Sequence, residues 1–187
     1  IFATLWTTTA FGAEIENGIF GEPYVLRTNP IAPLFGGVTG DLSVGWGTSS
    51  VGLSLGGVRQ YLDVQTTVTG ISAGPIFLHN FSGSLAQSGW IGEAWLKLAH
   101  VMVTQAYQLG NVEFTSHINT ITVGAAAGYE WMIKSQFNIT LALGVNYSHL
   151  PRSVPLTGSD GSVLDELSLE SIARVTPAID ISIGWIL

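Results

Sequence analysis

The chain has 187 residues, of which 47% are hydrophobic and only 10% are charged, and its formal net charge is −7. An average soluble domain carries about 25% charged residues, so this chain has too few charges for an ordinary water-facing exterior. The negative charge argues against a nucleic-acid partner, which would need a basic face. Since the chain has no cysteine, it has no disulfide framework and no thiolate metal site.

Long uncharged stretches are present, but they do not read as membrane-spanning helices, which need about 20 consecutive apolar residues. Residues 42–58 and 64–92 are rich in Gly, Ser and Thr, which indicates strands and turns. A closed barrel is the other structure that satisfies every backbone polar group within lipid. The sequence therefore predicts an all-β fold, a transmembrane antiparallel up-and-down β-barrel of about eight strands, formed as a single domain by residues 14–187.

The N-terminal residues 1–13, IFATLWTTTAFGA, are uncharged and are followed by Glu14 and Glu16. They are similar to the apolar tail of a secretory signal peptide. An extra N-terminal strand is the alternative, and both interpretations stay open.

Alternation of apolar and small residues is clearest between His117 and Ser148, where two strands flank a short turn at 132–135. A second hairpin covers residues 36–55 and turns at 47–50. Further strands are predicted at 24–32, 64–78, 90–104 and 170–187. The segment 79–89 is predicted as a turn, and 109–114 and 150–166 as outer loops. Alternation with period two is the signature of strands, and short connections make hairpins.

The composition of the second face decides which face points inward. It consists mostly of Gly, Ala, Ser, Thr and Asn, which suits a crowded small lumen. A soluble lipocalin-like barrel would carry Lys and Glu there instead. The apolar face is therefore predicted to point outward, into lipid.

Aromatic residues lie beside the predicted tight turns, as in the girdles of outer-membrane barrels. The predicted periplasmic girdle consists of Trp46, Trp131, Phe137 and Trp185. At the far edge of the apolar band, the outer-rim lipid contacts are predicted to be Arg59, Tyr61 and Tyr147.

The last strand resembles the C-terminal signal of bacterial outer-membrane barrels, although Leu187 stands where those proteins usually have Phe. The signal residues are Ile179, Ile181, Ile183, Trp185 and Leu187. Residues 22–187 as a whole are similar to the small-barrel class of the OmpA membrane domain, OmpX and OmpW. The resemblance implies a bacterial outer membrane, both termini periplasmic, contact with membrane lipid and lipopolysaccharide, and the barrel-assembly machinery as a partner during biogenesis.

Charged residues on the inward face form a predicted lumen network. Its members are Asp41, Glu93, Lys97, Glu130, Arg174 and Asp180. Since an ion buried in a small lumen must be paired, the network is predicted to be a salt-bridge plug. The alternative is a narrow path for cations.

Catalytic and metal sites are not predicted. Some barrels of this class are lipid A deacylases or palmitoyltransferases, and His79-Asn80-Phe81-Ser82 offers a possible base and nucleophile. It is predicted to lie on the periplasmic side, without an oxyanion site, so we expect no enzyme, no metal and no cofactor. The acidic segment 156–170, with Asp160, Asp165, Glu166 and Glu170, is predicted to be a solvated loop rather than a Ca²⁺ or Mg²⁺ site.

Three functions remain open on these grounds. The first is a structural, anchoring or interaction barrel without an open general pore, since eight strands enclose an interior that side chains fill. The second is a passive conduit for small apolar molecules, as proposed for OmpW-like barrels, with a lateral gap near Pro75 or Pro177. The third is a lipid-modifying enzyme.

Overall fold

The computed structural model describes residues 23–61, 66–107, 112–134, 136–158, 161–170 and 174–187. Residues 1–13, the possible signal remnant, lie outside this range. The described chain is almost entirely β-structure. Its strands are β1 (Tyr24–Thr28), β2 (Gly37–Trp46), β3 (Ser49–Tyr61), β4 (Thr66–Asn80), β5 (Gly89–Tyr107), β6 (Val112–Ile133), β7 (Phe137–His149), β8 (Ser153–Gly158), β9 (Val163–Ser168) and β10 (Val175–Ile186). A short 3₁₀ helix, Ala32–Phe35, follows β1.

Eight of these strands form a closed antiparallel barrel. Each of β1 to β6 pairs with the next strand, β7 pairs with β10, and β10 pairs with β1 to close the ring. The all-β barrel of about eight strands predicted from the alternation is thereby confirmed. In the described part of the chain, no helix is long and apolar enough to cross a membrane.

The two ends of the barrel differ in their connections. At one end, here called the turn end, the connections are the tight turn 47–48, the segment 81–88 and the short link from β6 to β7. Gly47 adopts a φ of 59°, which suits glycine, so the first turn takes only two residues. Tyr24 N–H donates to the Leu187 carbonyl (3.1 Å) at the same end. The opposite end, the loop end, carries the 3₁₀ helix and the β8–β9 hairpin.

Exposure alternates along the strands, and the apolar residues are the exposed ones. In β7, Leu141 and Leu143 are exposed, whereas Thr140 and Ala142 are completely buried. Small inner residues allow the strands to curve closely around the lumen. A Cβ at Gly144 would overlap the backbone of Ala125 and Ala126 on the neighbouring strand.

The segment 150–166 was predicted as an outer loop, and no strand was predicted within it. That segment contains β8 and β9, which pair with each other and continue the sheet beside the loop end of β6. Val154 and Leu169 pack with Ile118 in a small apolar cluster there. Two six-residue strands, one containing Pro155 and a register shift at Leu156/Thr157, carry too little alternation to be recognised.

Several predicted boundaries also move. Strand β1 ends at Thr28 rather than near Ala32, because the chain enters the 3₁₀ helix, which has proline in its first turn. Strand β6 begins at Val112, within the segment expected to be a loop. The turn between β2 and β3 takes two residues rather than four.

Candidate functional site

Arg27 lies at the centre of the barrel interior. The residue is only 3% exposed, Nη1 donates a hydrogen bond to Glu93 Oε1, and Nη2 lies 3.7 Å from Asp41 Oδ2. Asp41 faces Arg27 in the register of β1 and β2. Glu93 belongs to β5, which stands four strands from β1 in either direction around the ring. The Arg27–Glu93 ion pair therefore spans the lumen from one wall to the opposite wall.

Four of the six predicted network residues gather around this arginine. Asp41 and Glu93 contact it directly, and Asp180 and Glu130 interact with it electrostatically. Lys97 lines the lumen nearer the loop end. It stands four residues from Glu93, about 13 Å along an extended strand, so it is not the partner of that carboxylate.

Arg174 is not brought into the network. It is half-buried just before β10, where its carbonyl accepts a hydrogen bond from Ser148 N–H (2.7 Å), and among the described residues it has no ion pair.

The sequence reasoning missed Arg27, although one signal for it exists. Leu26 is exposed between buried Val25 and buried Arg27, so parity in YVLRT puts the arginine inside. Five residues show this alternation too briefly to stand out. The partnership with Glu93 depends on which strands face each other across the closed ring, and alternation does not contain that information.

Two glycines make room for the side chains that cross the lumen. A Cβ at Gly184, which pairs with Arg27, would come 2.7 Å from Arg27 Cγ. A Cβ at Gly124 would overlap the ring of Trp95, whose Nε1 donates to Asn146 Oδ1 at 3.0 Å. The charged layer is the group formed by Arg27 and the four carboxylates around it. Toward the loop end it is followed by a layer that contains Trp95 and Asn146.

Apolar and polar side chains close the interior at the turn end. Leu85, from the 81–88 segment, packs with Leu78 and Ile91, and each of the three is at most 5% exposed. Next to this cluster, Thr140 Oγ1 donates to Glu130 Oε2 (3.4 Å). Glu130 Oε1 is buried and has no hydrogen-bond partner within the described part of the chain.

Toward the loop end, the interior opens into a cavity of about 500 Å³. The charged layer forms its floor, and the cavity is therefore blind. Its polar lining includes Asn29, Thr39, Lys97, Thr122, Asn146 and Asp180.

One side of this cavity lies beside an incomplete part of the wall. The last β1 residue, Thr28, pairs with Ile183 and Gly40, so within the described residues β10 from Val175 to Ser182 pairs with β7 alone. Pro177 and Ile179 of this stretch line the cavity. At Pro75 the β4–β5 ladder also lacks pairs, but a Cβ at Gly74 would overlap the Leu96 carbonyl, so those strands stay in contact.

The outward aromatic residues group at the turn end. Trp46, Trp131 and Trp185 are exposed, and Phe137 lies edge-on to Trp185 with centroids 5.5 Å apart. The sequence reasoning did not include Trp90 or Tyr129, which extend the group. Their rings are 5.7 Å apart, and Tyr129 lies 5.0 Å from Trp131.

The other predicted surface residues also face outward. Arg59 lies over the Tyr61 ring, 5.7 Å from its centroid, and Tyr147 is exposed on β7. In the last strand the predicted signal residues lie on the outer face; Ile179, Trp185 and Leu187 are exposed, and Ile181 and Ile183 are half-buried.

A serine–histidine pair occurs at the turn end. His79 Nδ1 lies 2.8 Å from Ser49 Oγ, on the outer face of β3 and β4. His79 also packs edge-on against Phe81, with centroids 4.8 Å apart. Its hydroxyl partner is Ser49, on the neighbouring strand, rather than Ser82 of the predicted motif.

No metal site is apparent in the described part of the chain, where no group of three or more His, Cys, Asp or Glu side chains is arranged to hold an ion. Asp165 and Glu166 are exposed on β9, and Glu166 accepts a hydrogen bond from Ser153 Oγ (2.8 Å). Asp160 lies outside the described residues.

Comparison with known proteins gives no relative: no family model, curated protein or solved structure matches this chain.

Proposed function

We propose that this chain is an integral β-barrel of a bacterial outer membrane, with a structural, anchoring or interaction role and no open general pore. The observation that carries the proposal is the outer face, on which large apolar side chains follow one another along the strands. Ile71 is 68% exposed and Leu143 is 63% exposed. Monomeric soluble proteins rarely expose contiguous apolar patches larger than a few hundred Å², so a face of this extent favours contact with lipid.

The height of the apolar face supports the same proposal. Phe137 and Tyr147 stand ten residues apart on the outer face of β7, which is about 25 Å at the usual rise and a tilt near 40°. That is the height of the apolar band of outer-membrane barrels. The aromatic group at the turn end then lies at one membrane boundary, which we place on the periplasmic side. Arg59 and Tyr61 lie at the other, where lipopolysaccharide is the expected lipid.

The contents of the lumen favour a structural role over a general pore. The Arg27–Glu93 pair crosses the interior, and Leu78, Leu85 and Ile91 fill it below. A solute entering from the loop end would meet this plug at the cavity floor. Removing one member of a buried ion pair leaves an uncompensated charge, so transient opening is costly.

Two measurements on the full chain test this proposal. Cells that express it are fractionated, the membranes are washed with alkaline carbonate, and the extracted protein is run on SDS gels with and without boiling. We expect an outer-membrane protein whose mobility changes on boiling and whose reconstitution into planar bilayers gives no stable conductance steps. Recovery in the soluble fraction without a mobility change contradicts the membrane assignment, and stable ion conductance contradicts the plug.

A passive conduit for small apolar molecules is the second candidate, and one observation favours it. The cavity borders Pro177 and Ile179 where, among the described strands, β10 has no partner on its β1 side. A molecule entering from the loop end could leave sideways through this position without crossing the charged layer. Filling the cavity beside this position in the variant Ala178→Trp should abolish uptake of an apolar substrate if this candidate is right, because Ala178 is a small buried residue that lines the cavity.

A further inference from the structure

Three polar side chains form a hydrogen-bonded chain on the outer face near the loop end. His100 Nδ1 lies 2.7 Å from Asn119 Oδ1, and His117 Nδ1 lies 3.3 Å from His100 Nε2. The two imidazole rings are stacked, with centroids 5.3 Å apart and planes at 26°. Outward polar groups that bond to each other in this way contrast with the apolar side chains below them on the same strands.

The donor of each hydrogen bond among these three side chains can be assigned. An amide oxygen only accepts hydrogen bonds, so His100 Nδ1 carries the hydrogen. In the neutral imidazole, His100 Nε2 is then an acceptor, and His117 Nδ1 must donate to it. This leaves His117 Nε2 without a hydrogen. His117 Nε2 is therefore the atom at which the three linked side chains could accept a proton while both of their hydrogen bonds are kept.

A groove of about 720 Å³ runs across the outer face beside His100 and Asn119. Leu55, Ile71, Leu98 and Ile121 provide its apolar lining, and His100, Asn119 and His149 bound it on the loop-end side. Ala73 leaves room between the larger side chains. The groove is thus amphipathic, with an apolar part long enough to hold part of an acyl chain and a polar margin.

The position of the margin matches the level of lipid headgroups. His100 and Trp90 share the outer face of β5 ten residues apart, about 25 Å at the rise and tilt used above. Among the described residues, no carboxylate lines the groove. Four described titratable or charged side chains on neighbouring strands also face outward near this level. They are Arg59 and Tyr61 on β3 and Tyr147 and His149 on β7. Strand β4 presents the uncharged Thr69 and Ile71 there.

We propose that the chain formed by Asn119, His100 and His117 is a binding site for the phosphate headgroup of a membrane lipid whose acyl chain lies in the adjoining groove. The proposal rests on the membrane location proposed above and adds a lipid class to it. A His117 ring protonated at Nε2 would supply a charge-assisted hydrogen bond to the phosphate, and Arg59, which is exposed on β3, adds a positive charge to this rim. Since this hydrogen bond requires the protonated ring, we expect binding to strengthen as the pH falls.

Native mass spectrometry of the folded full-length protein in detergent tests the site. Phosphatidylglycerol and diacylglycerol, which carries the same acyl chains but no phosphate, are titrated in parallel at pH 5.5 and pH 8.0. We expect phosphatidylglycerol to be retained about tenfold better at pH 5.5, because one charge-assisted hydrogen bond is worth about that factor. The preference should shrink at pH 8.0 and be lost in the double variant His100→Gln/His117→Gln. The matched control His79→Gln, a histidine on the outer face at the opposite end, should keep it.

An equal preference in the double variant, or no preference in the wild-type protein, overturns the site. Loss of the preference when EDTA is added also overturns it, because a metal ion rather than a protonated imidazole would then hold the lipid. Each variant is first checked for the mobility change on boiling. A wild-type protein that lacks this change contradicts the membrane proposal, whereas a heat-modifiable protein without the preference contradicts the lipid site alone.

Discussion

Arg27 shows how a single residue can determine the state of the lumen. It lies in a wall strand of five residues, is almost inaccessible to solvent, and is paired with Asp41 beside it and Glu93 across the ring. Burial of these ions is tolerable because each is paired, and it becomes costly when one partner is removed. The charged layer thus holds opposite walls together while it closes the lumen.

Replacing Arg27 with methionine should lower the free energy of unfolding by about 3–5 kcal/mol, because Glu93 and Asp41 lose their common cation inside the barrel. The double variant Arg27→Met/Glu93→Gln should lose less than the single variant. Urea unfolding in lipid vesicles, followed by tryptophan fluorescence, measures both. The control Arg59→Met removes an exposed arginine and should cost less than about 1 kcal/mol. Equal losses at positions 27 and 59 would contradict the buried plug.

Gly184 offers a second test at the residue scale. In Gly184→Ala the new Cβ would meet Arg27 Cγ and the side chain of Asn138, so we expect a loss of about 1–3 kcal/mol in the same unfolding assay. The matched control is Gly57→Ala, where a Cβ would find only ordinary contacts at 3.6 Å and 3.9 Å. If both substitutions are tolerated equally, the side chain of Arg27 does not cross beside Gly184.

At the scale of elements, the 81–88 segment does more than connect β4 and β5. Leu85 reaches into the barrel at the turn end, where it lies against Gly45 and packs with Leu78 and Ile91. Asn80, the last residue of β4, holds the segment in place, because its Nδ2 donates to the Gln87 carbonyl (2.8 Å) and its Oδ1 accepts from Ser82 N–H (2.8 Å). A turn-rich connection therefore acts as the floor of the barrel.

Leu85→Ser should destabilise the barrel by about 2–4 kcal/mol, since it removes a buried apolar side chain and leaves a cavity. The matched variant Leu34→Ser changes a leucine that is 80% exposed at the loop end and should leave the unfolding free energy nearly unchanged. Thermal mobility-shift gels rank the two variants against the wild-type protein. A melting temperature for Leu85→Ser within 1 °C of the wild type would show that the segment does not close the floor.

The sequence was sufficient for the elements with long alternation and insufficient for contacts across the ring. Strand β7 was predicted in almost its full length and β6 from His117 onward, because their apolar and small residues alternate over more than ten positions. Parity alone placed Glu93 and Asp180 inside. The partnership of Glu93 with Arg27 and the approach of His100 to Asn119 both depend on strand order and register, which arise only when the ring closes.

At the scale of the whole molecule, the barrel presents two surfaces with opposite chemistry. The interior is a polar, largely filled column with a blind cavity at the loop end. The exterior is apolar between an aromatic group at one end and a margin of Arg59, Tyr61 and histidines at the other. This arrangement reverses that of a soluble barrel, and the proposed function requires lipid to cover the outer face.

Spin labelling in lipid vesicles tests that dependence most directly, because a chain without cysteine allows labels to be placed one at a time. A label at Leu141→Cys, on the outer face of β7, is compared with one at the neighbouring Ala142→Cys, on the inner face. The measured quantity is the accessibility of each label to a relaxing reagent in power-saturation EPR. We predict that the outer label is highly accessible to oxygen, which concentrates in lipid, and poorly accessible to a water-soluble nickel chelate. The inner label should be shielded from oxygen. Greater accessibility of the outer label to the nickel chelate than to oxygen would place that face in water and contradict the membrane barrel.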